Sequence, residues 1–439
     1  VFSLADEYTG EKIGSKLERI REIMKENGCN AHVLSSLDDI AWLLNIRGND
    51  IAYCPLVLSY AIVYNNSVEL FADIRKFSDD IINLLAENQV KIYPYEDIYR
   101  KVSEMTSEDK LLLDSAIMNY SLYQSISKET VIVDKQNPEI LMKSVKNETQ
   151  AENLRKAHLK DAVAHTKFMY WLKKYIGRVE ITELSASARL EGLRAEQEHF
   201  LGPSFGPISA YGEHGAIVHY SADEKSNVPL KEGKLFMTDT GGHYLEGSTD
   251  ITRTVALGEV GNIEKEHFTL VARAMLRLAN TVFLYGCSGA NLDCIAREVF
   301  WKEGLNFNHG TGHGVGYLLN IHEGPINFRW KEGERPAPAL EENMVITDEP
   351  GIYIEGSHGI RLENELLVRK TVKNEYGQFM NFEILTYVPI DLDAILPEKM
   401  STEEKEMLNH YHKQVYEKVS PYLSEEERSW LKEYTRAVK

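Results

Sequence analysis

The sequence contains no apolar run of membrane-spanning length, only four cysteines, and far fewer basic than acidic residues. A membrane-spanning helix needs about 20 mostly apolar residues, so we expect no membrane partner. The net charge of −18 repels nucleic acid, which we also exclude as a partner. The cysteines match no disulfide framework and no zinc pattern, which indicates a reducing compartment and predicts a cytoplasmic protein. They are Cys29, Cys54, Cys287 and Cys294.

The 439 residues are too many for one ordinary core, so two or more domains are expected. Residues 1–143 alternate helical and strand patterns; the helical spacing of "SKLERIREIMKE", for example, is followed by the strand-like "AHVLSS". This alternation predicts an α/β domain. The pattern changes at the polar stretch "DKQNPEI". From residue 144 onward, long helical segments are separated by strand-like runs that carry most of the polar residues.

The second segment contains thirteen of the fourteen histidines. The stretch "HGTGHG" at residues 309–314 places two of them four residues apart. Each of its three glycines costs a helix about 1 kcal/mol relative to alanine, so the stretch predicts an irregular strand or a loop. On its own it leaves open a metal site, a catalytic pair or a glycine-rich turn.

Four carboxylates stand at interruptions of apolar strand patterns. Asp239 and Asp250 lie in "KLFMTDTGGHYLEGSTDITRTVALG", which predicts a strand, a turn and a strand that bring the two together. Glu349 ends the apolar "NMVITDE", and Glu363 interrupts "GIRLENELLV". Each alone is explained equally well by turn capping or by solvent exposure at a strand edge. Together with His313 they form the oxygen-rich donor set that a pair of manganese, cobalt or zinc ions requires, with two carboxylates bridging.

The motifs that carry these residues resemble the pita-bread metallopeptidases, most closely the three-domain Xaa-Pro aminopeptidases (aminopeptidase P). They cover nearly the whole chain and include "LDDIAWLLNIRGND", "TELSA", "GAIVHY", "DTGGHYLEGSTDITRT", "HGTGHGVGYLLNIHEGP", "DEPGIYIEG" and "GIRLEN". The resemblance implies a creatinase/prolidase-like α/β middle domain over residues 1–143. It implies an α+β pita-bread catalytic domain over residues 144–439, with a C-terminal helical extension from about residue 390. A further N-terminal domain that contacts substrate is expected before residue 1.

The resemblance also implies a role for each residue of the candidate site. Asp239 is expected to bind the first metal ion. His313 and Glu349 are expected to bind the second, and Asp250 and Glu363 to bridge the two ions. A hydroxide shared by the ions is the nucleophile, and Glu349 takes the proton from the attacking water. His309 and His322 hydrogen-bond the scissile carbonyl and the developing oxyanion, whereas His219 holds the residue after the cleaved bond. Arg361 pairs with a ligand carboxylate, or else forms an ordinary surface ion pair.

The function predicted from the resemblance is that of a dinuclear metallo-exopeptidase. It removes the N-terminal residue from peptides that have proline in the second position. Manganese is the expected metal, with zinc and cobalt as alternatives. Two other functions stay open: a prolidase-like dipeptidase that cleaves free Xaa-Pro, and a non-catalytic pita-bread module that binds peptides. The metal ligands do not separate the aminopeptidase from the dipeptidase, since both use the same set.

Apolar residues at helical spacing near the end of the chain predict helices with one apolar face. These residues are Leu408, Tyr411, Val415, Leu423 and Trp430. We expect this face to pack on the chain's own catalytic domain, with a homodimer interface as the alternative. His214 and His243 match no catalytic position and are expected to be ordinary residues.

Overall fold

The computed structural model describes residues 1–331, 333 and 335–439. These residues divide into two compact units, Val1–Gln150 and Ala151–Lys439. The boundary that we expected at residue 143 falls near the end of the helix Pro138–Ser144. Within the described ranges, no helix combines the length and the apolar character needed to cross a membrane.

The first unit is built around a mixed six-stranded sheet. The strands of this unit are β1 (Phe2–Ser3), β2 (Ala31–Leu34), β3 (Ile46–Arg47), β4 (Ser59–Tyr64), β5 (Val68–Ala72), β6 (Val90–Tyr93), β7 (Lys110–Leu113) and β8 (Val131–Asp134). Its helices are α1 (Asp6–Thr9), α2 (Ile13–Glu26), α3 (Leu37–Leu43), α4 (Asp79–Glu87), α5 (Asp97–Ser103), α6 (Tyr120–Ser125) and α7 (Pro138–Ser144).

The strand order of this sheet is β6-β5-β4-β2-β7-β8, and β1 pairs separately with β3. Neighbours β5 and β6, β2 and β7, and β7 and β8 are parallel. The central strands β2 and β4 are buried along almost their whole length, as their apolar sequences require. Helix α2 buries Leu17, Ile20 and Met24 at the spacing of one helical face. The predicted α/β class is confirmed.

The second unit combines long helices with antiparallel sheets. Its helices are α8 (Glu148–Tyr175), α9 (Glu183–Ala195), α10 (Asn262–Ala279), α11 (Gly289–Lys302), α12 (Thr402–Val419) and α13 (Glu425–Tyr434). Its strands are β9 (Phe200–Pro203), β10 (Ile208–Tyr211), β11 (Lys234–Thr240), β12 (Gly242–Tyr244), β13 (Gly247–Ser248), β14 (Ile251–Leu257), β15 (Phe283–Leu284), β16 (Gly312–Gly314), β17 (Glu323–Phe328), β18 (Val345–Asp348), β19 (Gly351–Ile354), β20 (His358–Arg361), β21 (Asn364–Asn374) and β22 (Gly377–Ile384).

The strands of this unit form several antiparallel ladders. The largest has the order β15-β22-β21-β18-β16-β17, and shorter sheets have the orders β10-β11-β14, β13-β12-β9 and β19-β20. Helix α10 buries Phe268, Val271 and Met275 in the same apolar core as Ile346 and Leu366 of the largest sheet. Antiparallel sheets covered by separate helices are the α+β architecture that the sequence predicts.

The C-terminal helices belong to this core. Leu408, Tyr411 and Val415 of α12 are fully buried in it, and Leu423 is buried nearby. Trp430 of α13 is partly buried against the same cluster. This apolar face therefore packs on its own domain, as expected.

The aspartate-bearing hairpin forms as predicted, but its turn does not. Strands β11 and β14 pair antiparallel with Asp239 opposite Thr252, which places Asp239 and Asp250 at the same end of the ladder. The stretch "GGHYLEGS", which we predicted as a simple turn, instead contains β12 and β13 of another sheet. The reason is a close backbone approach: a Cβ on Gly241 would lie 1.8 Å from the carbonyl oxygen of Thr249. Only glycine lets the chain fold back so tightly there.

Candidate active site

All the residues predicted for the site line one cavity of about 270 Å³ in the second unit. Its wall includes the proposed ligands and the proposed catalytic histidines: Asp239, Asp250, His313, Glu349, Glu363, His219, His309, His322 and Arg361. Asp239, His313 and Arg361 lie in strands β11, β16 and β20, and the other residues lie in connecting segments. The sheet ladders therefore bring together residues that are far apart in the sequence.

Three of the proposed ligands are close enough to share a metal ion. Asp250, His313 and Glu363 each offer one ligand atom, and these atoms lie within 4.8 Å of one another. His313 Nδ1 is 2.9 Å from the carbonyl oxygen of Gly314, to which it donates in the neutral ring. That bond leaves the Nε2 lone pair directed at the carboxylates, 3.5 Å from Asp250 and 3.8 Å from Glu349. A histidine oriented through its other nitrogen in this way is typical of metal sites.

The electrostatics of the cluster favour a bound cation. Burial raises the pKa values of Asp250 and Glu363 well above their ordinary range, and the neighbouring carboxylates raise them further. Burial also raises the pKa of Glu349. A group of carboxylates held together in a poorly hydrated cavity is costly unless positive charge lies among them. The donor set therefore fits divalent metal ions.

Short hydrogen bonds fix the orientation of the carboxylates. The hydroxyl of Thr252 donates to Glu363 at 2.8 Å, and the backbone N–H of Asp250 donates to Glu365 at 2.6 Å. Arg361 is buried and donates through Nε to Asp239 at 3.1 Å, with a second and shorter contact from Nη2. The structure thus places Arg361 beside a proposed ligand carboxylate and away from the surface.

His309 is part of a hydrogen-bonded chain that the sequence does not reveal. Its Nδ1 donates to the carbonyl oxygen of Gly310 at 2.8 Å, and its Nε2 lies 2.8 Å from the hydroxyl of Tyr353. Because Tyr353 accepts from Arg361 at 2.7 Å, its own hydroxyl proton points to His309. Burial lowers the pKa of His309 to about 4, which is consistent with this neutral ring. Both ring nitrogens of His309 are therefore occupied.

The other two histidines are less constrained. Burial lowers the pKa of His322 to about 4, with a further contribution from His313, whose ring centroid is 4.3 Å away. The imidazole rings of His322 and His219 make no hydrogen bond to any residue in the described ranges, and both side chains are exposed in the cavity. Their N–H groups are available to a ligand.

The "HGTGHG" stretch is held from outside by helix α11. Arg297, which is fully buried, donates to the carbonyl oxygens of Phe307 and His309 at 2.7 Å each. Asp293 pairs with Arg297 at 2.6 Å and accepts a short hydrogen bond from Thr311. The second half of the stretch enters β16, as the glycines predicted. A Cβ on Gly312 would lie 1.8 Å from a carbonyl oxygen of the next strand.

Three further residues contribute to this site without a distinctive signal in the sequence. A tyrosine such as Tyr353 in "GIYIEG" has no distinctive spacing. An arginine four residues after an aspartate, as Arg297 is, is common on helices. Arg329 lies in no recognisable motif, and the structure places it in the cavity wall. The stem of Arg329 lies against Gly310, where a Cβ would come within 3.0 Å of its Cγ.

Comparison with known families divides the chain into three matched segments. Residues 152–370 match Metallopeptidase family M24, residues 1–150 match the Creatinase/Prolidase N-terminal domain, and residues 378–438 match the C-terminal region of peptidase M24. The cavity residues all lie in the first of these segments.

Characterised relatives match over nearly the whole chain. Aminopeptidase P1 of Arabidopsis thaliana is 34% identical over 98% of this chain and 74% of its own length. Xaa-Pro aminopeptidase 1 of Dictyostelium discoideum is 36% identical over 98% of this chain and 70% of its own length. These matches confirm the resemblance that the motifs indicated.

Solved structures agree with this assignment. The X-prolyl aminopeptidase from Caenorhabditis elegans, described as a cytosolic enzyme with a di-nuclear active site, superposes with a TM-score of 0.93 at 34% identity. The superposition covers 100% of this chain and 72% of that one. A Xaa-Pro dipeptidase from Bacillus anthracis has a TM-score of 0.68 at 25% identity, covering 87% of this chain and 99% of that one. The chain belongs to metallopeptidase family M24, among its Xaa-Pro aminopeptidases.

Proposed function

We propose that the chain is a metal-dependent Xaa-Pro aminopeptidase, which removes the first residue of peptides that have proline second. The observation that carries the proposal is the cluster of Asp250, His313 Nε2 and Glu363 in one cavity, with Asp239 and Glu349 in the same wall. The kinship with Xaa-Pro aminopeptidases supports the choice of substrate.

Two divalent ions would be held by these five residues. Asp239 would serve the first ion, His313 and Glu349 the second, and Asp250 and Glu363 would lie between them. Bound ions of this kind polarise a scissile carbonyl and supply a water that ionises near neutral pH. We propose manganese, with zinc and cobalt as alternatives, because the donor set is rich in oxygen and contains no thiolate.

The remaining side chains divide the other tasks. Glu349 would accept the proton of the attacking water, since its carboxylate lies in the same cavity wall as the other proposed ligands. His322 would donate to the developing oxyanion, since its ring is neutral and has no competing partner among the described residues. The single N–H of the neutral His309 ring, on Nδ1, is bonded to Gly310, so this ring could donate to substrate only after a change of tautomer, and we assign it a smaller share of that task. His219 would contact the residue after the cleaved bond.

The dipeptidase alternative depends on a cation that can bind the free carboxylate beside proline. Arg329 is a candidate, because it is exposed in the cavity wall and forms no ion pair with any residue of the described ranges. The higher identity to Xaa-Pro aminopeptidases favours the aminopeptidase. The non-catalytic module is disfavoured because every proposed ligand is present and directed into the cavity.

Peptide cleavage with defined metal content tests the proposal. The metal-free protein, reconstituted with manganese, is expected to cleave Xaa-Pro-Yaa between the first residue and proline, and to leave Xaa-Ala-Yaa nearly intact. Cleavage of free Xaa-Pro with Xaa-Pro-Yaa untouched would favour the dipeptidase. Because the related Caenorhabditis elegans enzyme is described as cytosolic, we also propose a cytoplasmic location, which fractionation of the source cells would test.

A further inference from the structure

His219 lies outside the strands of the described ranges, so no sheet fixes its position. It lies in the loop between β10 and β11, and we call residues 211–228 the His219 loop. Its imidazole has no hydrogen-bond partner among the described residues, and the side chain is exposed in the cavity. The position of this ring is therefore set by the backbone of the loop.

The carboxylate of Glu183 makes four contacts with the loop, which Arg361 also holds through the carbonyl oxygen of Val218 at 3.4 Å. This residue is the first of helix α9 and is completely buried. One of its oxygens accepts the backbone N–H of Tyr211 at 2.8 Å and lies 2.8 Å from Nδ1 of His214. The other oxygen accepts the hydroxyl of Tyr220 at 2.9 Å and the backbone N–H of Val228 at 3.4 Å. Glu183 thus binds both ends of the loop and two points between them.

The contact with Tyr220 is the one that bears most directly on the site. Tyr220 follows His219 in the chain, is buried, and stacks on His214 with ring centroids 4.5 Å apart. Fixing its hydroxyl fixes the backbone from which the neighbouring imidazole projects. On the opposite side, Gly215 meets Gly359 so closely that a Cβ on Gly359 would lie 1.6 Å from the carbonyl oxygen of Gly215. The loop is thus held between Glu183 and β20.

We propose that Glu183 is a positioning residue that sets the place of His219 and thereby the affinity for the residue after the cleaved bond. The proposal rests on the proposed aminopeptidase function. Glu183 does not line the cavity and touches neither substrate nor metal ligands, so it acts only through the loop. A carboxylate is required because it accepts at both oxygens, whereas an amide presents two donors at one end.

The test compares Glu183→Gln with a matched control, Asp391→Asn. Asp391 is also a fully buried carboxylate of this unit, accepting from the backbone of Ala256 at 2.8 Å and pairing with Lys173 at 2.6 Å. Glu183→Gln is expected to raise KM for Xaa-Pro-Yaa about 10- to 100-fold, with kcat and metal content nearly unchanged. Asp391→Asn is expected to leave KM unchanged even if it lowers the melting temperature.

A double-mutant cycle distinguishes positioning from general destabilisation. In a His219→Ala background, Glu183→Gln should change kcat/KM less than about twofold, because the residue through which it acts is gone. The proposal would be overturned if Glu183→Gln lowered kcat/KM by the same factor in the wild-type and the His219→Ala backgrounds. Loss of metal from the Glu183→Gln single variant would also overturn it. If Glu183→Gln does not fold, Tyr220→Phe removes only one of the four bonds and should show the same dependence on His219.

Hydrogen–deuterium exchange gives a readout that does not depend on activity. Peptides covering residues 211–228 should exchange faster in Glu183→Gln than in the wild type or in Asp391→Asn. Unchanged exchange in the loop would overturn the anchoring. A wild type that cleaves no Xaa-Pro-Yaa peptide would instead contradict the proposed function, while the exchange data would still decide whether Glu183 anchors the loop.

Discussion

An Asp250→Asn variant should be more stable than the wild type without metal and less stable than the wild type with it. Asparagine has nearly the shape of aspartate, but it removes one negative charge from the cluster and cannot bridge two ions as a carboxylate does. The two conditions therefore shift the free energy of unfolding in opposite directions.

The magnitudes follow from the geometry. Ligand atoms of Asp250 and Glu363 lie within 4.8 Å of each other. Two unit charges 4.8 Å apart repel by about 3.5 kcal/mol at an effective dielectric constant of 20. The gain in the metal-free protein should be smaller than the full repulsion, because protonation already relieves part of it. Metal at 100 times its Kd stabilises the wild type by about 2.7 kcal/mol per site, which the variant should largely lose.

The pH dependence has a definite sign. Burial, followed by the nearby charges of Asp239 and Glu349, raises the pKa of Asp250 in the native state. The metal-free native protein then binds more protons than the unfolded chain. Its stability is therefore greatest below the ordinary carboxyl pKa and falls as pH rises toward the raised one. The variant should lose the part of this slope that Asp250 contributes.

Thermal unfolding between pH 5 and 8, with and without manganese, measures both effects. At roughly 2–4 °C per kcal/mol, metal should raise the wild-type melting temperature by about 5–10 °C for each occupied site. Elemental analysis of the same samples reports the bound metal. Wild-type metal content and a wild-type metal-induced shift in Asp250→Asn would refute the reasoning. Asp391→Asn serves as the control for an unrelated buried carboxylate.

The metal content of alanine variants should distinguish the roles of the two histidines in "HGTGHG". His313→Ala should lose metal, whereas His309→Ala should keep its metal and lose turnover by at most about 10²–10³-fold. Equal metal loss in the two variants, measured by elemental analysis, would contradict this. Tyr353→Phe removes the partner of His309 Nε2 and should lower kcat by about tenfold with metal retained, and an unchanged kcat would refute the contact's importance. Arg297→Met leaves the carbonyl oxygens of the 307–309 segment unpaired and should cost about 2–4 kcal/mol in urea unfolding, which a loss below 0.5 kcal/mol would contradict.

Periodicity and spacing predicted much of this architecture because the relevant signals are local. Helices α10 and α11 and the strands around Asp239 follow directly from the pattern of apolar residues. The extra strands β12 and β13 could not be foreseen, because they depend on the close approach of Gly241 to Thr249, a contact that only the folded chain makes. Turn residues such as glycine and serine are equally compatible with a simple turn and with the short strands β12 and β13, so the sequence does not distinguish the two.

In the candidate site, too, residues with a local sequence signal could be predicted, whereas residues that act through distant contacts could not. Asp239, Asp250, Glu349 and Glu363 were recognisable because carboxylates in apolar strands are unusual, although each alone also suited an exposed edge. Glu363 is in fact buried, with 2% of its surface exposed, so the exposed reading is wrong for it. The roles of Tyr353 and Glu183 depend on contacts between distant segments. No spacing rule reports such contacts, although both residues lie in motifs that carry the family resemblance, "DEPGIYIEG" and "TELSA".

Metal titration of the metal-free protein tests the central claim most directly. Manganese is added in known equivalents while bound metal and cleavage of Xaa-Pro-Yaa are followed in the same samples. The proposed ligand set of Asp239, Asp250, His313, Glu349 and Glu363 predicts that two ions bind per chain and that activity rises to its maximum as they bind. Full activity in the absence of bound metal, or two bound ions without any cleavage of Xaa-Pro-Yaa, would contradict the account.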